Sequence, residues 1–200
     1  FYFHTDGSLD DLYPVDSSGS RQLIYDPSDP SPTIGGPTLR TDLVQGPYDQ
    51  RDSVESRNDI LIYTTDILTQ DLIMKGAAIV HLKISSDKTD TDFDIRLTDV
   101  YPDGRSMLVN DATLRMRFRN GNSAADTAAM IPGQVYDCTI EMPTAAITIL
   151  TGHKLRVDVT SSDYPRFNRN MNTGGPMYPG SSLDTLVNPV VATNTIHTNA

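Results

Sequence analysis

Apolar and polar side chains alternate most strictly between Ser85 and Arg119. Phe93, Ile95 and Leu97 interleave with Asp92, Asp94, Arg96 and Thr98, the period of two that a half-buried strand shows. Pro102-Asp103-Gly104 then marks a turn, because proline presets φ, aspartate bonds nearby backbone and glycine accepts a positive φ. Met107-Leu108-Val109 reads as a short strand, and Asn110-Asp111 as a second turn. Beyond it Ala112, Leu114, Met116 and Phe118 alternate with Thr113, Arg115, Arg117 and Arg119. The stretch predicts three strands joined by two turns. One face is oily and the other carries a row of guanidiniums, as in an antiparallel sheet that is wet or partnered on one side. Carboxylates of a neighbouring strand are expected to neutralise Arg115, Arg117 and Arg119, with Asp92, Asp94 and Asp99 nearest.

The same alternation recurs elsewhere. Val80, Leu82 and Ile84 oppose His81 and Lys83, and Leu155, Val157 and Val159 oppose Lys154, Arg156 and Asp158. Further strands are predicted at Phe1–His4, Leu23–Tyr25, Asp59–Thr65, Leu68–Met74, Gln134–Met142 and Val190–Ile196. Proline and the Gly35-Gly36 pair make Asp26–Pro37 irregular, and such a long irregular segment is usually functional or packed on a neighbour. Asn120–Met130 and Ser162–Val187 read as loops. Short strands separated by turn residues predict an all-β, mostly antiparallel sandwich of jelly-roll type.

Two hundred residues suit one domain with its own core. A net charge of −10 argues against nucleic-acid binding and gives no reason to expect an anionic membrane as partner. No stretch is apolar enough to span a bilayer. The single cysteine, Cys138, alternates with Tyr136 and Ile140 and reads as a buried small hydrophobe; it leaves the compartment open. The opening FYFHTDGSL has neither a basic start nor an apolar core, so no signal peptide is expected there.

The chemistry-bearing residues form no evident active site. A nucleophile elbow needs G-x-S-x-G, and both candidates fail: Gly104-Arg105-Ser106 runs on into Met107-Leu108, and Gly180-Ser181-Ser182 into Leu183-Asp184. His4, His81, His153 and His197 lack ligand spacing, so neither a metal nor a cofactor is expected. Asp87, Asp90, Asp92 and Asp94 allow two readings: calcium ligands on a loop, or cross-strand partners of the arginines. Tyr164, Phe167 and Tyr178, among arginines and asparagines, allow a sugar platform or a packing loop.

The stretch TDTDFDIRLTDVYPDGRSMLV resembles the C-terminal β-domain of serine hydrolases of the X-prolyl dipeptidyl-peptidase and cocaine-esterase type. Similar motifs follow in family order: Tyr25-Asp26-Pro27 through Gly35-Gly36, Gly46-Pro47 with Asp49-Gln50-Arg51, Asp59-Ile60-Leu61, Pro132 to Tyr136, Gly152-His153, and SSDYPRFNRNMNTGG at 161–175. The resemblance implies a non-catalytic jelly-roll domain, with the Ser, Asp and His triad in a preceding α/β domain that is its partner. Homo-oligomerisation is possible. The alternative is a free-standing carbohydrate- or calcium-binding module.

The resemblance also divides the chain. Residues 1–20 would be a leading strand and connection from the catalytic domain, and 21–200 the jelly roll, lacking a final C-terminal strand. The absence of an initiator methionine fits an excised fragment. The resemblance implies that the loop between Gly35-Gly36 and Gly46-Pro47 leans over the catalytic cleft, with Leu39 offering apolar contact and Arg40 positioned to receive a substrate carboxylate; the alternative is that Leu39 packs on this domain's own core and Arg40 is solvated. Tyr164, Arg166, Asn168, Asn170 and Asn172 are expected at the interface with the catalytic domain. Dipeptidyl-peptidase, esterase and β-lactam acylase chemistry are not distinguished by this part of the chain.

Overall fold

The computed structural model describes residues 1–15, 18–177 and 185–198; Tyr178 and the Gly180-Ser181-Ser182 triplet lie outside them. Twelve strands are present among the described residues: β1 Tyr2–Phe3, β2 Leu9–Asp10, β3 Ser20–Tyr25, β4 Leu61–Thr64, β5 Leu72–Gly76, β6 Ile79–Ser86, β7 Asp92–Val100, β8 Ser106–Arg115, β9 Tyr136–Glu141, β10 Ala145–Ile149, β11 Lys154–Thr160 and β12 Ala192–His197. Sheet I has the order β3-β12-β6-β9, sheet II the order β4-β11-β7-β8, and β1-β2 and β10-β5 form two small antiparallel pairs. Every pairing between named strands is antiparallel. The expected all-β sandwich of jelly-roll type is what the chain forms.

The alternating residues explain the core. Leu82 and Ile84 of β6, Cys138 and Ile140 of β9, Phe93, Ile95 and Leu97 of β7 and Leu155, Val157 and Val159 of β11 meet in one cluster between the sheets. Each large apolar side chain so buried contributes roughly 1.5–3 kcal/mol. Val80 and Leu114 pack at the cluster's margin, and Phe118 is half-buried. Cys138 is buried as expected, and burial pushes its thiol up to about 12.

The central stretch differs from its prediction in two ways. Asn110-Asp111 is not a turn: β8 runs through it as one strand of ten residues. Leu97 pairs with Asn110 but Thr98 with Leu108, so Val109 is an extra residue, a β-bulge. The bulge swaps the faces of the strand, and this made one strand look like two in the hydrophobic pattern. Past Arg115 the chain leaves the sheet as a short 3-10 turn, Met116–Phe118. The Pro102-Asp103-Gly104 turn is as expected, with Gly104 at φ +88° and its N–H donating to the Tyr101 carbonyl at 2.9 Å. Farther along, the strand read at Leu68–Met74 begins only at Leu72, and β10 and a π-helical turn at Arg51–Glu55 had no counterpart in the pattern.

Sheet II is not wet on its outer face. All nine residues of β7 are buried, polar and apolar alike. The proline-rich segment 26–38 and segment 161–172 lie over that face and are stitched to each other. Thr33 N–H donates to the Tyr164 carbonyl at 2.7 Å, Tyr164 N–H to the Ser31 carbonyl at 3.0 Å, and Ser31 N–H to Ser162 Oγ at 2.8 Å. Together they form a strap. Sheet I, by contrast, keeps an open outer face where Gln22, Ile24, His81 and Thr139 are exposed.

Candidate functional site

Under the strap lies a buried ionic layer. Arg96 of β7 is 2% exposed; it donates to Asp163 at 3.0 Å, to Ser31 Oγ at 3.3 Å and to the Pro32 carbonyl at 3.2 Å. Arg115 grips Asp92 through two contacts of 2.8 Å, and Arg117 holds Asp90 at 2.7 Å. Arg156 pairs with Glu55 of the π-helical turn, and Arg166 with Asp111. Burial leaves the Asp92 and Asp111 carboxyls raised above their ordinary value, and the charges of Arg115 and Arg166 respectively offset only part of that rise. The short contacts hold both as ion pairs.

Two of the three arginines are therefore neutralised by carboxylates. Arg119 instead donates to the Met116, Ala128 and Ala129 carbonyls and lies 4.5 Å from the Tyr136 ring centre. Asp94 accepts from Thr113, and Asp99 meets His153 Nδ1 at 2.7 Å, so neither reaches these arginines. The acidic run serves cross-strand and loop pairing: Asp90 and Asp92 are held by guanidiniums, and Asp87 accepts the Thr193 N–H. Among the described residues no group of three His, Cys, Asp or Glu side chains stands where it could hold a metal ion.

The strap carries the predicted cleft loop. Gly36 and Gly46 form an antiparallel bridge, N to O 2.9 and 3.1 Å in the two directions, which closes residues 37–45 into a projecting hairpin. A side chain at Gly36 would meet Asp111 Oδ2 at 2.7 Å, and its φ of +90° favours glycine as well. Leu39 sits at the tip, 95% exposed. Beside it an apolar groove of about 650 Å³ runs between Pro37, Leu39, Pro47, Leu108, Val109 and Ile147. The Arg40 side chain is engaged within its own domain: its Nε and Nη2 meet both oxygens of Asp42, at 3.1 and 2.6 Å, and Nη1 donates to the Pro165 carbonyl. The bidentate seat expected for a substrate carboxylate is filled from within, and the Arg40 guanidinium holds the Asp42 carboxyl below its usual range.

The two sets of residues singled out from sequence, more than a hundred positions apart, are thus neighbours. Arg40 touches Pro165, Arg166 N–H donates to Thr33 Oγ1 at 3.1 Å, and the Arg166 side chain reaches Asp111 under Gly36. Tyr164 and Arg169 stack at 4.5 Å on the rim. The other three work inside the domain. The Asn168 carbonyl accepts from Arg115, and Asn170 Nδ2 bridges Asp90 at 3.0 Å and Asp92 at 2.7 Å. Asn172, at φ +62°, donates to the Val190 carbonyl at 2.6 Å. Sequence reasoning gave Glu55, Asp158 and Asp163 no role. Asp158 had a signal in its place on the polar side of an alternating strand, and Asp163 in the motif at 161–175.

Ser106, the described elbow candidate, is a buried strand residue whose hydroxyl donates to Thr98 at 2.7 Å. The class of the domain is a two-sheet antiparallel sandwich in which the polar side chains of sheet II hold an internal strap. The family of X-Pro dipeptidyl-peptidase C-terminal non-catalytic domains matches residues 3–200, and the chain belongs to it. Cocaine esterase of Rhodococcus sp. (strain MB1 Bresler) is 37% identical over 174 residues, 87% of this chain and 29% of its own. An alpha-amino acid ester hydrolase superposes with a TM-score of 0.87 at 29% identity, over 99% of this chain and 34% of its own. An aminopeptidase from a marine sediment archaeon, Thaumarchaeota archaeon, gives 0.85 at 25%, again over 99% and 34%. The chain therefore spans about a third of the length of these relatives.

Proposed function

We propose that this domain covers an α/β catalytic domain of the same parent chain and completes one wall of its cleft, in a serine hydrolase acting on an ester or amide by acyl transfer. The observation that carries the reading is Leu39. It is a large apolar side chain left 95% exposed on a loop that is otherwise pinned, by the Gly36–Gly46 bridge and by Arg40 on Asp42 and Pro165. A pinned loop that presents Leu39, with Val44 half-exposed on the same loop, beside an apolar groove suits a surface that is covered in the whole protein. Arg40 belongs to the mounting of the loop, and Tyr164 and Arg166 to its base, where the catalytic domain would meet them.

The test is kinetic, in the whole protein. Leu39→Ala should raise KM or change acyl preference several-fold while leaving thermal stability unchanged, because its side chain has little contact to lose within this domain. Arg40→Ala should act through loop order, shifting the same constants in the same direction. Unaltered kinetics in both variants would mean that the loop is scaffold and reads no substrate.

A further inference from the structure

The buried ionic layer has more acids than bases. Among the described residues, five guanidiniums are matched to five carboxylates: Arg96 to Asp163, Arg115 to Asp92, Arg117 to Asp90, Arg156 to Glu55 and Arg166 to Asp111. Asp94 and Asp158 are left over. They lie on the same face of sheet II as Arg96, Asp94 two residues before it on β7 and Asp158 directly across from it on β11. Asp158 is fully buried and, among the described residues, neither of its oxygens has a hydrogen-bond partner; Asp94 uses one oxygen on Thr113 and leaves the other without one there. An ionised carboxylate so placed would carry a large desolvation cost, with the hydrogen bonds that would offset it missing among the described residues.

We propose that the layer is a proton latch: Asp94 and Asp158 are held in it as neutral carboxylic acids, and loss of the Asp158 proton to solvent loosens the strap from sheet II. The surroundings of Asp158 agree on every side. Glu55 of the π-helical turn faces it with like charge, and Arg96 of β7 and Arg156 of its own strand face it with opposite charge. Those two guanidiniums are already committed to Asp163 and Glu55. The neighbouring β4 residue, Ile62, brings no charge, and segment 26–38 places Ser31 Oγ and the Pro32 carbonyl on Arg96 while its Asp29 pairs with Arg57. Asp94 is faced by Asp92, Asp163, Thr113 and Arg96. Burial, with Glu55 beside it, pushes the Asp158 carboxyl up to about 8, and burial with the charges of Asp92 and Asp163 raises Asp94 well above the usual carboxylate range.

The direction of the effect follows. The closed layer binds the Asp158 proton more tightly than the open one, where the carboxyl returns to about 3.9. The latch is fully closed below that ordinary value, and its stability falls as pH rises toward about 8, beyond which it levels off. The strap also carries the Leu39 loop, but the latch stands on this chain's own geometry and holds whether or not that loop reads substrate.

The experiment is amide hydrogen exchange of the full chain against pH, corrected for intrinsic exchange and read at Thr33 and Tyr164, whose N–H groups stitch the strap. The opening constant should rise by up to about tenfold per pH unit between about pH 5 and 7 and level off beyond about 8. Asp158→Asn, which keeps the shape of the neutral acid, should remove the Asp158 share of that slope and leave at most the share of Asp94. A flat profile in the wild type, or an equal slope in the variant, overturns the proposal. If the variant does not fold, carbon-13 resonances of the native carboxyls decide. Titration of Asp158 well above the ordinary range supports the latch, and titration near 4 defeats it. Reclosure of the strap at pH 8 by added sodium or potassium, with no proton bound, would also overturn it, because a cation would then balance the layer.

Discussion

Arg96 shows most clearly how single residues decide this fold. It is among the largest fully buried side chains, and it ties β7 to two segments that sequence separates widely, one at Ser31-Pro32 and one at Asp163. Arg96→Met keeps the volume and removes the charge. It strands Asp163 in the layer and should cost about 3–5 kcal/mol, the usual loss when one partner of a buried pair is removed. Chemical denaturation measures this directly, and a loss under about 1 kcal/mol would mean that water already reaches the layer. In the sequence, Arg96 reads as one member of a polar strand face. Alternation tells which side of a strand a residue takes but not whether that side meets water, so the closure of the face was not legible. Asn110 was misread for a related reason: it favours turns by its own chemistry, yet here its amide donates to the Pro143 carbonyl from within β8.

At the scale of elements, the hairpin β7–β8, the strands β6 and β11 and the irregular character of 26–37 were all readable, because each rests on local periodicity or on proline. The strap was not, since it is made by hydrogen bonds between residues about 130 positions apart. β10 was missed because Ala145-Ala146 weakens its pattern, and the strand gains its identity from pairing with β5. The cleft loop was placed through its two glycine landmarks, and they prove to be its closing bridge. Gly36→Ala should therefore cost about 1–3 kcal/mol by backbone strain at φ +90° and by collision with the Asp111–Arg166 pair beneath it. Denaturant titration of the variant reads the cost. In the whole protein the same change should shift KM as Leu39→Ala does, and native stability with native kinetics would contradict the pinned-loop account.

The whole molecule divides its polar residues unevenly. Sheet I shows an open polar face, while sheet II closes its outer face under an internal strap and presents one loop with an exposed leucine. The family and the fold were legible because the motifs that mark them are turns, glycine landmarks and strand alternation, all local features. The identity of the reaction was not, because the chain spans about a third of the length of the relatives it matches. No helix among the described residues is long and apolar enough to cross a membrane.

The central claim, that this domain supports chemistry rather than performing it, is tested most directly by treating the purified chain with a fluorophosphonate serine probe while following nitrophenyl ester and X-Pro amide turnover. The account predicts no stoichiometric adduct and no turnover above the uncatalysed rate. One adduct per chain on any serine, with matching hydrolysis, would contradict it.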